Sequence, residues 1–348
     1  RENPSQRFTE TAIERLLVRG PTAFHAHAEV KPFLIEQEGR VLGRFALIHD
    51  RKLADVVQVA FFEAMPGLAG VGRALMVCAR RFRPAAPRIV AGLNGHGNYG
   101  ARFLLDRFDA PPVFGLPYSP PYYARYFEPL TPRPMVSFRY PMDGFYAFHE
   151  ARRGRPAPRG IRVRTMDRRR LQRDVEIYTA LNNACFGSMP LWSERTARED
   201  DELFRPFRHL LGDENLVFAY SGDKPVGFLL WYPDFNQLVR GGEPLGWRHV
   251  LRYRAARATR LARAAGLDTF RLAEIAVLPE FRSSGATLAM ILAIIPPARR
   301  LGMRYGEGGF IFEENHASMT MTRRFLERAV GRPLAPHRRY AVFEGDLQ

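Results

Sequence analysis

The chain has 348 residues, 46% apolar and 12% aromatic, more than a single core of ordinary size holds and enough for two. No apolar run approaches the roughly 20 residues that span a bilayer, and two cysteines, Cys78 and Cys185, supply neither a disulfide framework nor a cysteine metal site. Fifty-two Lys and Arg against 36 Asp and Glu leave a charge of +16, which favours polyanionic partners: nucleic acid, coenzyme phosphates or an acidic protein.

The opening Arg1-Glu2-Asn3-Pro4 lacks the apolar stretch of a signal peptide, so the expected location is the cytoplasm. His25, His27 and Glu29 would share one face of a strand and so could hold a metal. Exposed polar alternation is the commoner meaning, and no metal is expected. Strands over 33–37 and from Gly43 to Asp50 read as a hairpin. A strand at Val56–Phe62, the loop Gly67-Leu68-Ala69-Gly70-Val71-Gly72 and a helix over 72–82 follow. Residues 92–100 are glycine-rich and read as a loop. The aromatic stretch Phe114–Phe127 reads as a strand and a helix from Pro121, packed between domains. Residues 149–160, rich in Arg, Pro and Gly, read as a linker between 1–148 and 161–348.

The second half opens with a strand at Ile161–Thr165 and helices over 168–183 and 194–211, the latter with Ser193 as N-cap. Its hairpin uses strand 216–220 and a strand from Gly227 to Asp234, the same spacing as Gly43 to Asp50. Strand 270–278, loop 282–286 and a helix from 286 then repeat the order of the first half, so one α/β unit is used twice. Pro296-Pro297 should kink or end that helix. A strand at 303–311, a helix over 316–329 and a strand at 338–344 close the chain. Arg248, Arg252, Arg254, Arg257, Arg260 and Arg263 stud one predicted helix. Positions 248, 252, 260 and 263 fall within a third of its circumference, a stripe suited to an acidic carrier protein or to nucleic-acid phosphates.

The most informative segment is 271–290. A β-branched run ends at Leu278-Pro279, the loop Arg282-Ser283-Ser284-Gly285 follows, and the chain turns helical. Such a junction aims unpaired N–H groups and the helix dipole at one point, which suits a phosphate or diphosphate. Glu274 lies inside the strand on the same face as Leu278, and a carboxylate there is costly unless it is paired or functional. Trp231 to Gln237 mixes aromatic walls with polar groups, as binding sites do, although Asp234 also suits a capped turn.

Through Pro233–Gln237, Leu278–Arg282, Glu314-Asn315 and Arg339–Glu344, residues 161–345 resemble one GNAT acyltransferase domain. The whole chain resembles bacterial proteins with two GNAT-like halves. The resemblance implies an α/β fold of the α+β type: two tandem domains, each a mixed, mostly antiparallel twisted sheet flanked by helices, the first degenerate and the second catalytic. It implies transfer of an acyl group from acyl-CoA or acyl-phosphopantetheine on an acyl carrier protein to a primary amine of a small molecule or peptide. The donor would lie on Ala276, Val277, Leu278, Arg282, Ser283, Ser284, Gly285, Ala286, Thr287 and Asn315. The acceptor would lie among Trp231, Tyr232, Phe235, Asn236 and Gln237. Glu274 or Asp234 would be the base. Tyr340 or Tyr305 would stand in as the acid, because the helix that usually carries a tyrosine offers Phe325 and Glu327. Thr287 departs from the usual Gly or Ala and limits how closely a diphosphate approaches, which shifts weight towards a carrier-bound donor. Two other readings are a catalytically silent double-GNAT scaffold that binds a ligand, and a basic nucleic-acid-binding protein. The second accounts for the arginines but not for the repeat.

Overall fold

The computed structural model describes residues 11–154, 158, 160–241, 243–258 and 266–347. In chain order its strands are β1 (Ala28–Gln37), β2 (Arg40–Asp50), β3 (Val56–Ala64), β4 (Arg88–Ala91), β5 (Phe103–Leu104), β6 (Thr131–Pro141), β7 (Ile161–Thr165), β8 (Leu216–Ser221), β9 (Lys224–Pro233), β10 (Thr269–Val277), β11 (Tyr305–Phe312) and β12 (Arg338–Asp346). The helices are α1 (Thr11–Arg19), α2 (Val71–Phe82), α3 (Tyr123–Tyr126), α4 (Asp143–Ala151), α5 (Leu171–Phe186), α6 (Ala197–Phe204), α7 (Trp247–Ala258), α8 (Ala286–Arg300) and α9 (His316–Val330). None of the described helices is long and apolar enough to cross a membrane.

The spacing shared by the two halves has a steric cause. Gly43 lies opposite Ala64 and Gly227 opposite Val277. A Cβ would stand 2.6 Å from the Glu63 carbonyl oxygen at the first and 2.8 Å from that of Ala276 at the second, so only glycine fits. Asp50 and Asp234 end the spacing as caps of short 3-10 turns, each accepting the N–H two residues on, at Lys52 and Asn236.

The described strands form one sheet in the order β1-β2-β3-β4-β12-β6-β11-β10-β9-β8-β7, with β5 also paired to β12. It is antiparallel except for β3 with β4 and β10 with β11. Each half is completed by a strand of the other: β12 lies against β4, and β6 lies against β11. Nothing in local periodicity announces this exchange.

Alternation along β8 and β9 feeds two cores. Val217, Ala219, Leu229 and Trp231 face α8, whereas Leu216, Phe218, Phe228 and Leu230 face Tyr178 and Leu181 of α5. α8 runs through Pro296 and Pro297 to Arg300, so of the expected kink or end the pair does not bring the end. An interior proline costs about 3 kcal/mol. Ile291, Ile294 and Ile295 are buried on this helix at about 1.5–3 kcal/mol each, and the pair falls near its end, so packing outweighs the lost donors. The expected helix over 194–211 is shorter. Thr196, not Ser193, is the N-cap, in a capping box with Glu199, and Pro206 ends the α-helix in a 3-10 turn at Arg205–Phe207. The aromatic stretch holds no strand between Phe114 and Pro120; its helix is α3.

Candidate active site

β10 and β11 pair from Thr269–Leu272 against Tyr305–Gly308 and then part. β11 stays with β6 through Phe312, while β10 stays with β9 through Val277. The register of β10 on β9 slips at Ala273, the extra residue of a bulge. One edge of β10 from Ala273 to Val277 therefore faces a wedge, and among the described residues no side chain is hydrogen-bonded to the main chain there. An extended chain carrying amides can add to such an edge.

At the end of β10, a 3-10 turn over Pro279–Phe281 leads to Gly285, the left-handed N-cap of α8 at φ +83°. Arg282 and Ser283 are exposed, while Ser284 and Thr287 are half-buried. The Ser284 hydroxyl donates to the Phe281 carbonyl at 2.7 Å and accepts from the Ala286 N–H at 3.3 Å, so one amide of the helix start is already capped. Pro158 stands against Gly285, where a Cβ would come within 2.8 Å of its ring.

Glu274 is half-buried on β10, opposite Leu230. Its carboxylate accepts from the Tyr178 hydroxyl at 2.9 and 3.0 Å, from Asn98 Nδ2 at 3.0 Å and from Asn182 Nδ2 at 2.5 Å. Burial raises its pKa above the ordinary carboxylate value, opposed by the Arg195 guanidinium and the Tyr178 and Asn182 hydrogen bonds. Arg195 is itself buried, 3.0 Å from Asp200, which also accepts from Thr179 at 2.6 Å. Burial lifts Asp200 to about 6. The same desolvation pushes the Tyr178 hydroxyl well above its usual range, so it stays a donor.

Of the remaining residues expected at the site, Tyr232 and Ala276 share the Glu274 side of the sheet, and the others lie away from its carboxylate. Asp234 is buried where β9 ends. Its Oδ1 accepts from the Phe114 N–H at 2.7 Å and the Asn236 N–H at 3.1 Å, and burial raises it to about 7. Trp231 and Phe235 lie in the core, the indole donating to the Glu214 carbonyl. Tyr232 faces the opposite side of the sheet, its hydroxyl 3.2 Å from Arg271. Asn236 donates to the Pro112 carbonyl, and Gln237 bridges Asp268 and Thr269. Tyr340 is fully buried on β12, three strands from β10, which is about 14 Å at ordinary strand spacing. Asn315 caps α9 through Ser318. Ala276 lines the α5 core while Val277 points to the α8 side.

Sequence reading missed Tyr178, Asn182, Asn98 and the Arg195–Asp200 pair. Tyr178 and Asn182 are four apart on α5 and so share a face, a usable signal. Asn98 and Arg195 carry no local signal, since only the fold brings them to β10. His27 sits between Asp50 at 2.7 Å and Glu199 at 3.0 Å, His25 caps Thr22 and Glu29 pairs with Arg83. Among the described residues no group of three or more His, Cys, Asp or Glu could hold a metal. In α7, Arg248 pairs with Glu243 and Arg257 with Glu214, while Arg260 and Arg263 lie outside the described residues.

No protein-family model matches the chain. Protein YghO of Escherichia coli (strain K12) is 23% identical over 266 residues, 72% of this chain but only 63% of that protein's length. A solved tandem GNAT protein from the clavulanic acid biosynthesis pathway superposes on 100% of this chain and 91% of its own, with TM-score 0.53 and 14% identity. The GCN5-related glucosamine N-acetyltransferase region of a fungal multi-domain GH3 beta-N-acetylglucosaminidase covers 99% of this chain and 35% of its own, with TM-score 0.51 and 13% identity. At these identities the likeness is one of fold.

Proposed function

From a chain with the tandem GNAT fold, we propose an acyltransferase whose second half carries an acyl group from a pantetheine thioester to a primary amine. The observation that carries this reading is Glu274, a carboxylate gripped by Tyr178, Asn98 and Asn182 where β10 and β11 part. The pantetheine arm lies along the free edge of β10, with Ala276 and Val277 beside it and its phosphates at Gly285 and Ala286. Glu274 takes the proton of the acceptor ammonium. The amine nitrogen attacks the thioester carbon, the amide bond forms, the C–S bond breaks, and the thiolate leaves to take up a proton. The main-chain N–H groups at the Ala273 bulge face the developing oxyanion. Tyr178 and the two asparagines fix the carboxylate. Asp234 holds the turn after β9, and Tyr340 is too deeply set in the sheet to reach the thiol. The donor is acyl-CoA or an acyl carrier protein, the latter docking on the exposed arginines of α7.

Free thiol released from acetyl-CoA or an acylated carrier protein in the presence of primary amines tests the reading. Glu274→Gln should lower turnover at least ~100-fold, the ordinary share of a general base, with the melting curve retained. The wild-type rate should rise with pH along a limb centred above the usual carboxylate range, because Glu274 acts unprotonated and its pKa is raised. Wild-type turnover in Glu274→Gln would reject the base. A silent scaffold is the second reading, favoured by Pro158 standing on Gly285; thiol release from no amine, with the donor bound, would support it.

A further inference from the structure

Arg271 is a buried guanidinium with no ion pair within 4.0 Å among the described residues; Glu274 and Glu307, the carboxylates that feel its charge, stand farther off. Arg271 is 7% exposed, on the stretch of β10 just before the strands part. Its Nη1 donates to the Tyr232 hydroxyl at 3.2 Å and, at 3.4 Å, to the Phe114 carbonyl, and its Nε has no partner. Glu307 is the residue opposite Arg271 on β11: its Oε1 accepts from Ser137 at 3.0 Å, with Arg338 at 3.9 Å, while its Oε2 has no hydrogen-bond partner and lies 4.0 Å from Arg139. His337, 3.8 Å from Glu307, is held by burial at about 4 and is uncharged at neutral pH. Three guanidiniums thus surround one carboxylate, Arg271 and Arg338 buried and Arg139 half-buried, and a buried charge is ordinarily paired.

Position gives this excess a use. Arg271 lies opposite Tyr232 and Glu274 opposite Leu230. Those two β9 residues are on one face, so Arg271 and Glu274 are too, about 7 Å apart along the sheet. We propose that Arg271 binds the carboxylate of the acceptor, which is a short amino acid whose amine then meets Glu274. The Nε edge of a guanidinium offers two parallel donors to a carboxylate, a geometry that a neutral amide does not satisfy. The inference rests on the acyltransferase reading for what happens at the amine, but not for the binding of the anion.

Calorimetry of the full chain without donor separates the two. Glycine, β-alanine and γ-aminobutyrate are titrated beside their carboxamides, each pair differing only in the anionic group. The carboxylates should bind roughly 30-fold more tightly, the usual span for hydrogen bonds to a charged group. In Arg271→Gln that ratio should fall below about 3, and Arg271→Lys should restore part of it. Equal affinity for acid and amide in the wild type, a ratio unchanged in Arg271→Gln, or no binding of any of these amines would each overturn the proposal. The wild-type comparison decides even if both variants fail to fold. Carboxylate-selective binding with no thiol released would leave the anion site standing and reject the transferase. Turnover of neutral amines without carboxylate preference would do the reverse.

Discussion

At Gly70 and Gly285 the chain takes the same left-handed turn into a helix, at φ +72° and +83°, after a strand that pairs in parallel with its neighbour and then leaves it. What fills the gap differs. In the first half the freed edge of β3 is occupied by the protein's own side chains. Asn94 Oδ1 accepts from the Phe61 N–H at 2.9 Å, the Tyr123 hydroxyl accepts from the Ala64 N–H at 3.2 Å, and Tyr122 donates to the Ala64 carbonyl at 3.0 Å. Tyr126 donates to the Met65 carbonyl, and its own carbonyl lies against Gly72, where a Cβ would stand 2.3 Å away. Phe62 packs edge-on against Tyr123 and Phe127, closing the wedge. In the second half, among the described residues, no side chain plugs the edge of β10 in this way. The register also places Ala60 opposite Ala46 where Glu274 lies opposite Leu230, each three residues past the shared glycine, so the first half has no carboxylate at that position. One architecture is used once as a scaffold and once as a cleft.

Ala60→Glu puts a carboxylate at the matching place in the first half, where the position is fully buried and offers none of the donors that surround Glu274. It should cost several kcal/mol, with a melting temperature lower by ten degrees or more and no second activity. A folded variant of wild-type stability would show that the plug is looser than described. The two turn aspartates differ too: Asp50 has His27 at 2.7 Å, whereas Oδ1 of Asp234 is held by the Phe114 and Asn236 N–H groups. With its pKa raised to about 7 when folded, Asp234 contributes stability below its unfolded value near 4 and loses it as pH rises to 7, at most about 1.4 kcal/mol per pH unit. Melting curves of Asp234→Asn against the wild type between pH 4 and 8 should show that this decline is removed; parallel curves would contradict it. Smallest is the pair Gly70→Ala and Gly285→Ala. Both force a Cβ into a left-handed turn at about 1 kcal/mol, but only the second should weaken acetyl-CoA binding, roughly tenfold in calorimetry. Equal loss in both would erase the asymmetry between the two halves.

The strands, the two glycine turns and the place of Glu274 were legible because each follows from local rules: β-branched runs, left-handed glycines, and a carboxylate among apolar neighbours. The exchange of β6 and β12 was not, since pairing across the chain depends on partners far apart in sequence. The same holds for the grip on Glu274, because Asn98 is 176 residues away from it. Trp231 and Tyr232 show a finer limit. Neighbours in a strand face opposite sides, so a run that looked like one aromatic wall divides between a core and the Arg271 face. That Pro296-Pro297 would not end α8 was hidden for another reason: burial of the surrounding isoleucines outweighs the local rule.

The most direct test of the central claim is a crystal structure of the full chain with a non-hydrolysable acyl-CoA analogue. One molecule should bind per chain, its pantetheine along Ala273–Val277, its phosphates at Gly285 and its carbonyl facing Glu274. Density for the arm between β3 and β4, or a wedge beside β10 left empty at saturating analogue, would contradict it.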